Sequence, residues 1–463
     1  MTSKQSNVDS AGRRAFIRKS IGGVFGAATM GSSLSLLHSV NAMAASVPNS
    51  DYKALVCIFL LGGNDSFNML VPRSGASYDQ YLVARQQMAL PQAELLPISH
   101  SGTNPVEFGL HPAMSGVQQL FGDGALSFIA NCGALVEPTT KQQYDDGSVA
   151  LPPRLFSHND QQQFAMRLQQ DGGSPTGWAG RMADLLADSS ASLSMNVSLS
   201  GTNLWQIGGQ TSALAMGNNG ISSINSINPD SRNAITIARR AAFLDLLNTD
   251  TGHTFANQFA AKQSRAIDSA DLVSQALEQT EPLTTVFPSS NLGGKLASIA
   301  RLIKAREHFG LSRQIYFVGM GGWDTHGSQL ASHQTLLGEL SEGMAAFYAA
   351  TQELTIADKV TTFTASDFGR TLSTNGDGTD HGWGGNQMVM GGAVNGGQIY
   401  GDYPELLLGG DNDLGRGRII PTTSVDQISA TLARWYASFS DTEMNALFPN
   451  LANFTKSDLG FMA

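Results

Sequence analysis

Five apolar runs divide the chain: YKALVCIFLLGG (52–63), ALSFIANCG (125–133), SLSMNVSLSG (192–201), QIYFVGMGG (314–322) and KVTTFTASDFG (359–369). The first, second and fourth are nearly continuous in Val, Ile, Leu and Phe, with no alternation of polar residues. That pattern predicts strands buried on both faces, as parallel sheets require. Each run ends in glycine or polar residues, and helix-period stretches lie between them, such as HPAMSGVQQLFGDG (111–124) and GGKLASIARLIKAREHFGL (293–311). Strand, loop and helix in alternation predict an α/β fold, a mostly parallel sheet between helices. Residues 230–283 are helix-rich and of mixed polarity, and read as a helical insertion. No internal repeat or long compositional linker divides residues 45–463, so the expectation is one α/β domain.

The first 44 residues read differently. GRRAFIRKS (12–20) carries the twin-arginine pair Arg13 and Arg14. A weakly apolar stretch broken by Gly and Ser follows, and NAMAAS then offers small residues for cleavage after Ala44. This order predicts a signal peptide recognised by the twin-arginine translocase, and a periplasmic or extracellular mature protein. No stretch is long and apolar enough to predict a stable membrane span. Removing residues 1–44 removes five basic residues (Lys4, Arg13, Arg14, Arg18, Lys19) and one acid (Asp9), leaving 23 basic and 37 acidic residues, a formal charge of −14. No basic stripe survives, which argues against a nucleic-acid partner. Cys57 and Cys132 both fall in apolar runs; neighbouring strands with free thiols are one reading and an export-compartment disulfide is the other. Neither cysteine is spaced for zinc.

Ligand-type side chains gather where predicted strands end. The first run leads to Asp65, Ser66 and Asn68, the fourth to Asp324 and His326, and the fifth to Asp367 and Arg370, then Asp380 and His381. In open α/β sheets ligands bind outside the carboxyl ends of strands. Asp65, Asp324, His326, Asp367 and His381 are therefore the candidate metal ligands, for a divalent ion such as Zn, Mn, Mg or Ca. Asp65 equally fits a helix cap, and Asp380 a turn. Ser66 beside Asp65 is a candidate nucleophile or a turn cap. His158, in LFSHNDQQQ (155–163), is a candidate general acid, ligand or cap. Arg370 is a candidate clamp for an anionic ester, with Arg416 and Arg418 as further cations. The segment SDFGRTLSTNGDGTDHGWGG (366–385) reads as a glycine-rich loop forming one wall of the site.

The ordered set FLLGGNDSFNMLVP, LHPAM, LFSHNDQQ, GWAGRMAD, GGWDTHGSQ, SDFGRT, DHGWGG and GRGRIIPTTSVDQISATLARWY resembles the bacterial exported family called domain of unknown function 1501, from about residue 52 to 440. That family is grouped with the alkaline phosphatase and arylsulfatase superfamily. The resemblance implies metal ligands at the carboxyl edge of a largely parallel sheet, and no settled activity. Asp65 stands where related enzymes place a metal-binding Asp. Asp324 and His326 resemble their Asp…His pair at shorter spacing. Asp367 resembles the Asp of an Asp-His pair, with Phe368 where the histidine belongs. His381 resembles their later lone histidine. The Cys-x-Pro-x-Arg motif of sulfatases is absent. The implied function is metal-dependent hydrolysis of a phosphate or sulfate ester, small-molecule or glycan. The alternative is a non-catalytic binding protein with a degenerate metal site.

Overall fold

The computed structural model describes residues 52–101, 105–169, 175–186, 194–218, 220, 225–229 and 231–463. The twin-arginine segment lies outside the described residues.

The central sheet has nine strands: β1 (Lys53–Leu60), β2 (Leu126–Gly133), β3 (Asn196–Ser198), β4 (Leu214–Ala215), β5 (Arg313–Met320), β6 (Val360–Ser366), β7 (Gly385–Met390), β8 (Ile399–Tyr400) and β9 (Thr423–Ser424). Their order is β8-β2-β7-β6-β1-β5-β3-β4, and β9 also pairs with β2. All five apolar runs contribute strands, although among the described residues the third gives three, those of β3. Every pairing is parallel except those of β7, which runs antiparallel to both β2 and β6. The sheet is thus mixed and mostly parallel. The connection from β6 to β7 is taken up by a ribbon that folds back on itself and does not cross the sheet, so β7 returns antiparallel to β6.

Alternate residues of β1 enter two separate cores. Ala54, Val56, Ile58 and Leu60 pack on one face and Leu55, Cys57 and Phe59 on the other. The first face is covered by the helices Asn291–Lys304, through Leu296 and Ile299, and Gln329–Glu353, through Leu340 and Phe347. The second is covered by the helices Trp178–Leu186 and Val425–Tyr436, through Trp178, Met182 and Leu432. Burial on both faces explains the unbroken apolar runs, since no position from Ala54 to Leu60 faces water. Within 230–283 the structure forms two helices, Ala234–Leu247 and Thr254–Gln279.

Cys57 and Cys132 are both buried and free. They do not sit on neighbouring strands, because β6 and β7 lie between β1 and β2. Three strand spacings separate the chains by about 14 Å, beyond disulfide reach.

The parallel register of β6, β1 and β5 aligns Ser366, Leu60 and Met320. The segments that follow these residues therefore leave the sheet side by side, at its carboxyl edge.

Candidate metal centre

The turn after β1 has Gly62 at φ +121° and Gly63 at φ +86°. A Cβ on Gly62 would lie 2.4 Å from the Asp324 amide nitrogen, and one on Gly63 would lie 2.6 Å from the Phe368 ring. Only glycine lets β1's turn approach both neighbouring loops this closely. The closeness has a purpose in the hydrogen bonding: the Gly62 amide donates to both carboxylate oxygens of Asp367 at 3.2 Å.

The segment after Asp367 is more ordered than its glycine content predicts. Arg370–Thr374 and Thr379–His381 form an antiparallel ribbon pairing Arg370 with His381. Its tip runs through Asn375 and Gly376, the latter at φ +137°, a backbone conformation glycine supplies at a tight turn. The ribbon turns the chain back on itself and carries Asp380 and His381 to the edge of the sheet.

Three imidazoles meet there beside one carboxylate. The Nε2 atom of His326 lies 3.0 Å from Asp324 Oδ1, that of His381 lies 3.4 Å from Asp324 Oδ1, and that of His158 lies 3.4 Å from Asp324 Oδ2. Each ring has an acceptor on its other nitrogen. His158 Nδ1 is 2.7 Å from Asp367 Oδ2, His381 Nδ1 is 2.7 Å from the Phe156 carbonyl, and His326 Nδ1 is 3.3 Å from Asp380 Oδ1. These partners can each accept an Nδ1 proton, so in the neutral rings three Nε2 lone pairs face Asp324. His158 Nε2 is buried without a hydrogen-bond partner. Burial, reinforced by the nearby His158 and Arg370, pushes the His381 imidazolium below its ordinary range and favours a neutral ring, against the pull of Phe156 and Asp324. In that form the nitrogens repel a carboxylate unless a cation, a proton or a metal ion, lies between them. Ligand atoms of His158, Asp324 and His381 all lie within 4.8 Å of one another, and His326 adjoins this group. The three residues can hold a metal ion, and the donor chemistry fits one.

Asp324 is half exposed, and its charge is set by its neighbours. Burial opposes ionisation, but the hydrogen bond and charge of Arg370, with His326 and His158, outweigh it and hold the carboxyl below its usual range. Arg370 itself is fully buried. It donates to Asp324 at 2.7 Å, to the Gly62 carbonyl at 3.2 Å, and to the Thr379 hydroxyl and carbonyl. As placed it positions Asp324 and has no free face for an ester. The exposed or half-exposed cations at the mouth are others. Arg418 lies over the Phe156 ring at 4.6 Å and donates Nε–H to the His381 carbonyl, Arg416 pairs with Asp380 at 2.6 Å, and Arg154 is largely exposed. Arg154, Phe156 and Arg416 all have positive φ. Such strained backbone is kept only where its surroundings fix it.

The sequence-predicted residues divide into two groups. His158, Asp324, His326 and His381 come together, with Asp367 holding His158 from behind. Asp65 is not in this group. It is fully buried and accepts from Arg85 Nη2 and Gln329 Nε2. Ser66 is also buried, and its hydroxyl accepts the Asn386 amide at 2.6 Å. His158 is the first residue of a helix ending at Arg167, with Ser157 at the cap position. The Ser157 hydroxyl bonds the Asp160 carboxylate at 2.5 Å, not a backbone amide. Sequence reasoning missed the Phe156 carbonyl, which no side-chain pattern reveals. It also missed Gln162, which donates to Asp367 at 2.8 Å; its position one turn after His158 was a usable signal.

Among known proteins, the model of a family described as "Protein of unknown function (DUF1501)" matches residues 52–432. No curated protein matches. Two solved structures resemble the chain distantly. "Crystal structure of Ps i-CgsB" has 9% identity and a TM-score of 0.34, and the match covers 87% of this chain and 77% of that one. The same protein "in complex with k-i-k-neocarrahexaose" has 8% identity and a TM-score of 0.34, covering 88% and 78%.

Proposed function

The chain belongs to the family of unknown function DUF1501, and from that premise we propose that it is an exported, metal-dependent hydrolase of phosphate or sulfate esters, working in the periplasm or outside the cell. The observation that carries this reading is the convergence of three Nε2 lone pairs on Asp324, each imidazole fixed by a separate acceptor. His158, Asp324 and His381 would hold the ion, with His326 as a fourth donor. A set this rich in imidazole favours Zn over Mn, Mg or Ca. The ion would supply Lewis-acid activation of the ester. Asp367, Asp380 and the Phe156 carbonyl keep the rings oriented, and Arg370 keeps Asp324 ionised and in place. Arg416 is paired with Asp380 and Arg154 lies 3.9 Å from Asp160, which leaves Arg418, held on the His381 carbonyl, as the cation that suits an anionic substrate.

The burial of Ser66 disfavours covalent catalysis by that hydroxyl. It supports direct attack by water, or the second reading, a non-catalytic binding protein with a degenerate metal site. The test is the metal content of the protein purified without chelator, followed by hydrolysis of model phosphate and sulfate esters. Near-stoichiometric metal that disappears with Asp324→Ala and His381→Ala together, with turnover, supports the enzyme. Metal without turnover supports the binding protein, and no metal in a folded protein overturns the hydrolase and leaves the binding protein.

A further inference from the structure

Gln329 is the first residue of the helix Gln329–Glu353 and is fully buried. A buried amide needs donors at its oxygen and acceptors at its nitrogen. Gln329 has both. Its Nε2 donates to Asp65 Oδ2, and its Oε1 accepts the Thr379 hydroxyl at 2.6 Å and the Thr325 hydroxyl at 3.0 Å. The Thr379 hydroxyl oxygen in turn accepts Arg370 Nε–H at 3.2 Å, and Arg370 Nη1 donates to Asp324 Oδ1 at 2.7 Å. Asp65, itself held by Arg85, is thereby joined to the Asp324 carboxylate through Gln329, Thr379 and Arg370.

The ends of this chain fix its direction. A guanidinium only donates, and a carboxylate paired with one only accepts. Asp65 therefore takes the Gln329 amide N–H, which turns Oε1 towards the threonines. Arg370 fills a lone pair of Thr379, so the Thr379 proton goes to Oε1. Rotating the amide by half a turn would set its oxygen against the Asp65 carboxylate. Other bonds hold the same elements together. The Thr379 amide donates to the Thr325 carbonyl at 3.2 Å, the Gln329 amide to the Asp377 carbonyl at 2.9 Å, and the Ser328 amide to Asp377 Oδ2 at 2.9 Å. Thr325 stands between Asp324 and His326, and Thr379 two residues before His381. One buried amide thus clamps the two segments that supply three of the four residues of the cluster.

We propose that Gln329 is a positioning residue of the metal centre. With Thr379 it fixes Arg370, and through Arg370 it holds the Asp324 carboxylate where the imidazoles face it. Its own hydrogen bonds go to Asp65, Thr325, Thr379 and Asp377, and none goes to the cluster. The effect on an ion rests on the metal centre of the proposed function; the relay from Asp65 to Arg370 does not.

The test compares Gln329→Met, Thr379→Val, the two together, and Thr379→Ser, which keeps the hydroxyl. Zn is titrated into each folded, chelator-stripped protein. Separately, hydrogen exchange of Arg370 Nε–H is followed by NMR without metal, the resonance being assigned by its loss in Arg370→Lys. Gln329→Met and Thr379→Val should each weaken Zn about tenfold at unchanged stoichiometry, the low end for loss of an orienting partner. The double variant should be no weaker than the weaker single one, because members of one hydrogen-bonded chain do not add. Thr379→Ser should bind as wild type does. Arg370 Nε–H should exchange faster in Gln329→Met and in Thr379→Val than in wild type. A role in stability alone would lower the urea midpoint and leave the Zn affinity of the folded protein unchanged. Wild-type affinity in both folded variants, or losses that add, overturns the positioning role. If wild type itself binds no Zn, the metal centre falls and the positioning role with it; faster Nε–H exchange in the variants would then keep the relay as a fixture of Arg370, and unchanged exchange would remove that too.

Discussion

The Nε2 atoms of His326 and His381 face each other at 3.0 Å. Both rings spend their Nδ1 protons elsewhere, on Asp380 and on the Phe156 carbonyl. With both rings neutral and protonated on Nδ1, two lone pairs at this distance repel, and the Asp324 oxygen 3.0 Å from one of them adds to the repulsion. A shared cation removes it, so the ion should stabilise the folded state. Ligand at a hundredfold excess over its Kd adds about 2.7 kcal/mol. Adding chelator should lower Tm by several degrees in wild type and leave Tm of His381→Ala unchanged. A chelator-insensitive wild type would show that these rings hold no ion.

Asp367 serves the ion through His158 rather than by contact. Its Oδ2 takes His158 Nδ1 and Gln162 Nε2, and the Gly62 amide reaches both oxygens. Asp367→Asn keeps the shape and loses the charge that fixes the imidazole. Loss of such an orienting partner typically costs 10–100-fold in metal affinity. Isothermal titration with Zn should show that loss with unchanged stoichiometry, whereas His158→Ala should change the stoichiometry or abolish binding.

How much of this could be read from the chain alone follows from which forces are local. β1, β2 and β5 were legible because burial on both faces leaves few polar positions in the run and no polar alternation. Asp324 and Asp367 were legible because parallel strands deliver their carboxyl ends to one edge. β7's reversed direction was not, since it depends on how tightly the hairpin Arg370–His381 folds back. Nor was the setting of Asp65. Its place after β1 marks a strand end equally well for a ligand or a buried ion pair. The choice is made by Arg85, twenty residues on, whose helix packs back against the Thr371 and Leu372 carbonyls.

That buried pair carries its own expectation. Arg85 and Asp65 are both fully buried, and Arg85 also donates to Asn68 at 3.1 Å and to two carbonyls. Removing one partner leaves an uncompensated buried charge, at a cost of about 3–5 kcal/mol. Arg85→Met should lower the urea midpoint accordingly, and Asp65→Leu with Arg85→Met together should recover a large part of the loss. Metal stoichiometry of the folded double variant should match wild type. Its disappearance would return Asp65 to the metal site.

Asp426 gives a pH-dependent prediction of opposite sign to that of ordinary carboxylates. It is buried at the start of the helix Val425–Tyr436, and burial raises its carboxyl to about 7, against hydrogen bonds from Ser424 and Asn450 and the charge of Arg181. Between its unfolded value near 3.9 and about 7, the folded state holds a proton that the unfolded state has released. Asp426 therefore stabilises the fold at low pH, and that contribution falls as pH rises through this window. One proton corresponds to about 1.4 kcal/mol per pH unit. The buried pair His111 and His333 works the other way. Burial lowers each to about 4, so their neutral rings contribute stability above the unfolded value near 6.5 that is lost as pH falls towards 4. In wild type the two effects partly cancel from pH 4 to 6.5. Asp426→Asn mimics the protonated acid and removes only the first. Denaturant unfolding across pH should show a variant close to wild type at pH 4 and increasingly more stable above it. Its slope should be steeper by about 1.4 kcal/mol per pH unit up to pH 6.5. Parallel curves would mean that Asp426 is ionised in the fold, held by Arg181 rather than by a proton.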